Sequence, residues 1–367
     1  IQQDRAAELP VPVPFRRFVA QTRLGVGAAE HEAFFREMLG DVDEPTAPFG
    51  LLDVQGDGAD IEEARLPLAA ELSQRIRQQA RSHGIGAASL FHLAWALVLS
   101  KATGKEDVVF GTVLFGRMQG GEGADRALGM FINTLPIRVK LGQRGVLQSL
   151  RETHAGLTGL LEHEHASLSL AQRCSGLPGG TPLFSAMLNY RHASAEKRNA
   201  SVVWEGMEFL GGEERTNYPI TMSVDDMGQD FRLVAQIGRQ VGAMRLCEYM
   251  LAAVTGIVDT LASQPECNID ELALLGAAER EQLRAWGVNA TRYPDQAPVH
   301  RLIERQVQAN PQATALSFGD DSLSYEELNR RANQLAHHLI SLGVRPDAKV
   351  GISLERSFEM VVGLLAI

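Results

Sequence analysis

Between Ser89 and Lys101 the chain reads SLFHLAWALVLSK, which is apolar on nearly every side of a helix. A surface helix carries one apolar stripe and one polar face. A helix without a polar face has to be sheathed all round, so this stretch predicts a buried central helix inside a domain large enough to enclose it. The chain has 367 residues, enough for about two domains at roughly 100–200 residues each. Its 45% hydrophobic and 22% charged residues are globular values, which excludes disorder, collagen or coiled coil as a description of the whole chain. His92 sits inside the apolar run and reads as a core histidine rather than a ligand.

Around that helix the pattern alternates. Ile1 to Pro14 is Pro-rich and reads as a loop. Glu30 to Leu39 is a short amphipathic helix with Phe34, Phe35 and Met38 on one face. Thr46 to Gly58 reads as loop, Ala64 to Leu68 as a strand and Glu71 to Ser82 as a helix. Asp107 to Leu114 is a buried strand, Gly116 to Gly129 a mobile glycine-rich loop, and Met130 to Val139 strand-like, with Pro136 favouring an edge or bulge. A long helix covers Val146 to His163. Pro182 to Tyr190, Val202 to Leu210, Ile220 to Val224 and Phe231 to Ile237 read as strands, the last two joined as a hairpin through Asp226-Met227-Gly228. Ala243 to Ser263 is a helix. Gln264 to Pro298, with Pro265, Pro294 and Pro298 around a helix near Ala277 to Trp286, reads as an interdomain linker. Then come a helix Val299 to Ala309, a strand Thr314 to Phe318, a helix Ser324 to Leu342, a strand Lys349 to Leu354 and a helix from Ser357, the opening of a parallel-sheet domain. The fold class expected is α/β with a mixed α+β sheet.

Charge and cysteine content narrow the function. With 35 basic against 45 acidic residues the formal charge is −10, which argues against a general binder of nucleic acid. Cys174, Cys247 and Cys267 are far apart and form no C-x-x-C, so no disulfide framework or zinc knuckle is expected, and a reducing cytoplasm fits. No signal peptide is visible. The longest apolar stretches are broken before 18 residues, so no membrane-spanning helix is expected. The start at Ile1 and the apolar run Val361 to Ile367 read as cuts from a longer chain.

The usual catalytic motifs are missing: no G-x-S-x-G, no H-E-x-x-H, no Walker loop and no G-x-G-x-x-G between strand and helix. The glycines of Gly116 to Gly123 fit none of these spacings. His163 and His165, with His154 upstream, suggest a metal site, but residues two apart on a helix point to different faces and no carboxylate or Cys pattern surrounds them. His337-His338 echoes the acyltransferase pattern His-His-x-x-x-Asp-Gly without its Asp, on an amphipathic helix. Two stretches place polar residues in apolar runs. In Phe131 to Arg138, Asn133 and Arg138 need partners if buried, so they line a channel or tie segments together. In Thr216 to Asp226, hydroxyls alternate with apolar residues. This is either a strand face offering Tyr218 and Ser223 to a ligand or an edge strand with a solvated face.

Several of these stretches resemble the condensation domains of nonribosomal peptide synthetases. Met130 to Val139 (MFINTLPIRV) is similar to one core motif. Asp107 to Arg117 (DVVFGTVLFGR), His165 to Gly176 (HASLSLAQRCSG), Thr181 to Ser185 and Asn189-Tyr190-Arg191 are similar to others. Leu272 to Trp286 looks like the connector that follows, and Leu323 to Asn329 with Ala332 to Ala336 resembles the first core motif of an adenylation domain. The resemblance implies a chloramphenicol-acetyltransferase-like condensation lobe (1–264), a linker (265–298) and the start of an AMP-binding adenylation domain (299–367). The family's His-His-x-x-x-Asp-Gly signature lies upstream of all these motifs, and the adenylation part stops before its phosphate loop. No catalytic, ATP-binding or metal-binding residue is therefore carried over. Asn133 and Arg138 are candidates for organising the lobe near a substrate channel, and Tyr218 and Ser223 for lining it.

By the resemblance, the parent enzyme joins an acyl or peptidyl thioester on one carrier domain to the amine of an aminoacyl group on the next. Phosphopantetheine on the carriers and ATP with Mg in the adenylation domain are the parent system's cofactors. Donor and acceptor carrier domains, the condensation N-lobe and the adenylation domain are the expected partners, with no nucleic acid and no membrane. The alternatives are a non-catalytic carrier-docking lobe, an inactive gene fragment, a freestanding acyltransferase, or an epimerisation domain of the same fold. An adenylation start directly after the linker argues against the last two.

Overall fold

Each segment's local chemistry shows in how its element starts and stops. The apolar run forms helix α4, Ala87–Thr103. It ends at Gly104, whose left-handed conformation (φ 71°) lets its N–H close onto the Ser100 carbonyl, a conformation that favours glycine. Every residue from Ser89 to Ser100 is buried. The computed structural model describes residues 11, 13–54, 56, 60–116, 127–192, 216–288 and 297–367. The expected strand Val202 to Leu210, residues 117–126 of the glycine-rich loop, most of Ile1 to Pro14, and Pro294 lie outside the described residues. The chain divides into two units, Ile1–Ala285 and Trp286–Ile367.

In the first unit, helices α1 (Phe15–Leu24) and α2 (Ala28–Leu39) precede strand β1 (Ile61–Pro67) and helix α3 (Ala70–Ser82). After α4 come β2 (Asp107–Leu114), β3 (Asn133–Lys140), α5 (Val146–Glu162), α6 (Leu168–Arg173), β4 (Ala186–His192), β5 (Ile220–Asp226), β6 (Phe231–Gly238), α7 (Ala243–Ser263) and α8 (Ala277–Gly287). The six strands form one sheet in the order β1-β6-β5-β4-β2-β3. Pairing is parallel for β2/β4 and β4/β5 and antiparallel for the rest. This is the mixed sheet the alternation predicts. Pro136 lies in β3, an edge strand, as its missing N–H requires. β5 lies inside the sheet, so the edge-strand reading of Thr216 to Asp226 is corrected: its hydroxyls belong to a strand paired on both sides.

One face of the sheet is apolar, with Phe110, Leu135, Ile137, Leu188, Met222, Val224, Leu233 and Ile237 all buried. α4, α5 and α7 pack on the strands, and α3 packs on α4 and α7. α7 corrects one expectation, since by length and composition alone it is long and apolar enough to cross a membrane. Its buried side (Leu246, Met250, Val254, Ile257, Leu261) is instead given to β1, β6 and the other helices.

The second unit holds α9 (Val299–Ala309), β7 (Thr314–Phe318), β8 (Asp321–Ser324), α10 (Tyr325–Ser341) and α11 (Phe358–Ala366). β7 and β8 pair antiparallel. Ser324 ends β8 and caps α10, its Oγ accepting from the Glu327 N–H at 3.2 Å, so the helix begins one residue later than expected. Lys349 to Leu354 is not a strand, which corrects the expected parallel opening. A strand needs a ladder partner, and among the described residues none pairs with this segment. Ile352 instead lies against α11, where a Cβ on Gly363 would fall 2.8 Å from its Cδ1.

Candidate functional site

β3 carries Asn133 and Arg138 near its two ends, and both act as fasteners. The Asn133 amide donates to the carbonyls of Glu164 (2.8 Å) and Ala166 (2.7 Å), and its Oδ1 accepts from the Thr134 N–H. It therefore closes the turn after α5 onto the sheet edge. That turn holds His163, Glu164 and His165, so these residues lie beyond the helix end. No group of three His, Cys, Asp or Glu able to hold a metal occurs among the described residues.

The Arg138 side chain is only 8% exposed. Its Nε reaches both Asp107 carboxylate oxygens (2.9 and 3.1 Å) and its Nη2 lies 2.6 Å from Asp107 Oδ2. Nη1 donates to the Met38 carbonyl at 2.8 Å, and both terminal nitrogens reach Asp41. One guanidinium thus ties β3, β2 and the end of α2, using its planar fork on two carboxylates. Its hydrogen bonds to Asp107 and Asp41 push the Arg138 pKa up. The Arg138 hydrogen bond in turn holds the Asp41 carboxyl down at about 2.

Tyr218 and Ser223 lie elsewhere. Tyr218 precedes β5, and its ring stacks on Phe184 with centroids 5.5 Å apart and planes 10° apart. Burial pushes its phenol pKa up. Phe184 in turn lies over Gly111 of β2, where a Cβ would fall 2.5 Å from the Phe184 ring. Only a residue without a side chain fits beneath that ring. Ser223 alternates away from the apolar face and sits between Asn189 of β4 and Val234 of β6. Register puts Met187, Asn189, Arg191, Thr221, Ser223, Asp225, Val234 and Gln236 on this second face of the sheet. Arg191 Nε pairs with Asp225 Oδ1 at 2.8 Å, and Gln236 donates to Glu63 at 2.9 Å. The Thr221 hydroxyl is buried and has no hydrogen-bond partner among the described residues. The face therefore carries a row of polar side chains between the apolar Met187 and Val234. The structure does not gather the four candidates into one cluster, since β3 and β5 are separated by β2 and β4. A cleft of about 480 Å³ lined by Leu52, Asp53, Val54, Gln172, Gly180 and Pro182 lies where the Asn217 amide donates to the Val54 carbonyl.

His92 is settled as a core residue. Its Nδ1 bonds the Ala88 carbonyl (2.7 Å) and its Nε2 the Thr112 hydroxyl (2.8 Å), and burial pulls its pKa down to about 4. His337 and His338 lie on α10.

Two networks went unread in the sequence. Asp226 accepts from Tyr190 Oη at 2.6 Å, Arg77 Nη2 at 2.6 Å and the Gly228 N–H at 2.9 Å. The Arg77 guanidinium also lies over the Phe231 ring. Burial works to raise the Asp226 pKa, but these donors overcome it and hold it below the ordinary value. Burial, with Asp226 adding to it, pushes Tyr190 up. The second network is a contact between His31 and His163, 132 positions apart. The available signal was weak: Tyr190 sits in the quoted Asn189-Tyr190-Arg191 motif, but nothing near it in sequence names Arg77 as its partner.

Comparison with known proteins decides the family. The Condensation domain family matches residues 4–284. The chain belongs to the condensation-domain family of nonribosomal peptide synthetases. A second family, AMP-binding enzyme, matches residues 303–367, so the condensation domain is followed by the start of an adenylation domain. The chain is 47% identical over 369 residues to malpinin synthetase of Mortierella alpina, covering 100% of this chain and 5% of the relative. It is 46% identical over 364 residues to malpibaldin synthetase, also of Mortierella alpina, covering 99% of this chain and 7% of that relative. The crystal structure of the nonribosomal peptide synthetase FmoA3 shares the fold with a TM-score of 0.60 at 20% identity, over 99% of this chain and 39% of that one. The chain therefore spans a small part of the relatives it matches.

Proposed function

We propose that this chain is the C-terminal portion of a condensation domain, 1–264, joined by a linker, 265–298, to the start of an adenylation domain, 299–367. Its parent joins a carrier-bound acyl or peptidyl thioester to a carrier-bound aminoacyl amine. The amine attacks the thioester carbonyl, the amine gives up a proton, and the tetrahedral intermediate collapses to an amide with the thiol leaving. A thioester is already activated, so the protein's task is chiefly to orient two tethered substrates and to manage charge and protons. The observation that carries this reading is the succession of a condensation match over 4–284 and an AMP-binding match from 303.

Within that reading the four candidates take two roles. Asn133 and Arg138 are lobe-organising residues, supported by the segments their side chains tie together. Tyr218 and Ser223 belong to the channel side, supported by the polar face of the sheet on which Ser223 lies. None of them touches the reacting atoms as a nucleophile or base. The chain contains no His-His-x-x-x-Asp-Gly, which favours a lobe that is inactive alone and contributes substrate orientation and carrier contact. In the full module the carriers supply phosphopantetheine arms, the adenylation domain uses ATP with Mg, and the assembly works in the cytoplasm.

The test is an amide-formation assay with one carrier loaded as donor and another as acceptor. The chain alone is expected to give background, and a single polypeptide that also carries the upstream condensation segment to give product. Turnover by the chain alone overturns the division of labour proposed here.

A further inference from the structure

His31 of α2 and His163, the first residue after α5, meet through their Nδ1 atoms at 2.8 Å. Both are buried, 8% and 7% exposed. The His163 ring stacks on Phe34 with centroids 4.1 Å apart. An Nδ1-to-Nδ1 contact this short is a hydrogen bond only if one ring carries the proton and the other accepts it. The protonation chemistry then follows. A first added proton goes to the free Nε2 of the donating ring and leaves the bond in place. A second has only the accepting Nδ1, and there it sets two N–H groups against each other in two charged rings.

We propose that the His31–His163 bond is an acid-opened fastening that holds the first turns of α2 against the turn after α5. The other end of α2 is secured differently, by Arg138 on the Met38 carbonyl and Asp41. That clamp stays closed at any pH above the low value of Asp41. Acidification therefore frees α2 from one end only.

The surroundings fix the direction. Burial lowers both histidines, and for His31 the charge of His163 and then of His165 adds to it. Glu30 on α2 opposes this for both rings, and Glu162 on α5 opposes it for His163. The turn itself brings Glu164, beside His165, and α1 brings the Phe18 ring against His165. Further along α2, Glu32 and Arg36 face Cys174 just after α6, on which Arg173 at the end of α6 also acts. With native pKa values below the 6.5 of a free histidine, the unfolded segment binds more protons than the folded one. The stabilisation is complete above that value and is lost as pH falls from it towards the native values.

Amide hydrogen exchange on the full chain tests this, with rates corrected for intrinsic pH dependence. Between about pH 7.5 and pH 5, protection over the first two turns of α2 is expected to fall about tenfold or more, with Met38 to Asp41 unchanged. In His31→Gln, whose amide still offers His163 a partner but does not titrate, that difference should shrink severalfold, to the part that the burial of His163 alone supplies. No loss in the wild type, or equal loss in the variant, overturns the proposal. The wild-type imidazole nitrogen spectrum decides it without a variant. One protonated and one bare Nδ1 are expected at about pH 7.5 and two protonated at low pH, whereas two bare Nδ1 atoms at neutral pH overturn it.

Discussion

The two units use the same kinds of element and hold them by different means. In the first, a helix buried along its whole middle packs on a six-stranded sheet, and Phe91, Trp95, Phe110 and Phe231 lie fully enclosed. In the second, α9 has no buried residue, and among the described hydrophobic side chains only Leu323, Leu328, Ala332 and Val362 are buried. Its helices rest on local devices: the Ser324 and Ser357 caps, and Glu327 shared between Arg330 and Arg331. A cap of this kind is worth about 1 kcal/mol, and an exposed ion pair is screened by water, whereas truncating one core aromatic costs about 3–5 kcal/mol. Local chemistry can specify a helix, but a sheet core has to be assembled from distant parts.

The contrast can be broken most directly at Phe91, whose ring meets Phe231 at 5.0 Å and Tyr190 at 5.9 Å. Phe91→Ala is expected to cost about 3–5 kcal/mol in urea unfolding of the first unit. A loss below about 1 kcal/mol removes the claim that α4 is its centre. Gly111→Val tests the same core from the other side of the sheet. It drives a side chain into the Phe184 ring and should cost about 1–3 kcal/mol, with a change in the near-ultraviolet signal of the Phe184–Tyr218 stack. Arg138→Met asks whether long-range fastening shapes this unit's electrostatics. Asp41 should move from about 2 towards the ordinary value of about 3.9, read by carboxyl carbon shifts, and an unmoved Asp41 dissolves the clamp. Smallest is Leu302→Ala on α9, where a side chain 40% exposed should change stability by no more than about 0.5 kcal/mol. A large loss there shows a hidden core in the second unit.

The same division explains what the sequence disclosed. Asp107 to Leu114, Ala243 to Ser263 and Val299 to Ala309 are legible to the residue, because apolar periodicity and breakers are local. Lys349 to Leu354 fails because strand composition says nothing about whether a partner lies alongside. β8 is missed because Asp321 to Ser324 is too short to show a period. At the site, Asn133 and Arg138 stand out as polar residues in an apolar strand, so their need for partners is readable. Their partners are not: Met38 lies 100 positions from Arg138 and Glu164 31 from Asn133. The pairs Arg77–Asp226 and His31–His163 are invisible for the same reason.

The enclosure of α4 has a consequence for synthesis. α7, which covers it, begins roughly 140 residues after α4 ends, at Ala243 against Thr103. At about 5–20 residues per second, a ribosome takes roughly 7–30 s to deliver that cover. For that interval the side of α4 that α7 covers is exposed on the nascent chain, while β2 and α5 can already pack on the rest. Holdase chaperones that bind apolar segments should therefore engage this protein at Ser89 to Ser100 during translation, and release it once α7 has left the exit tunnel.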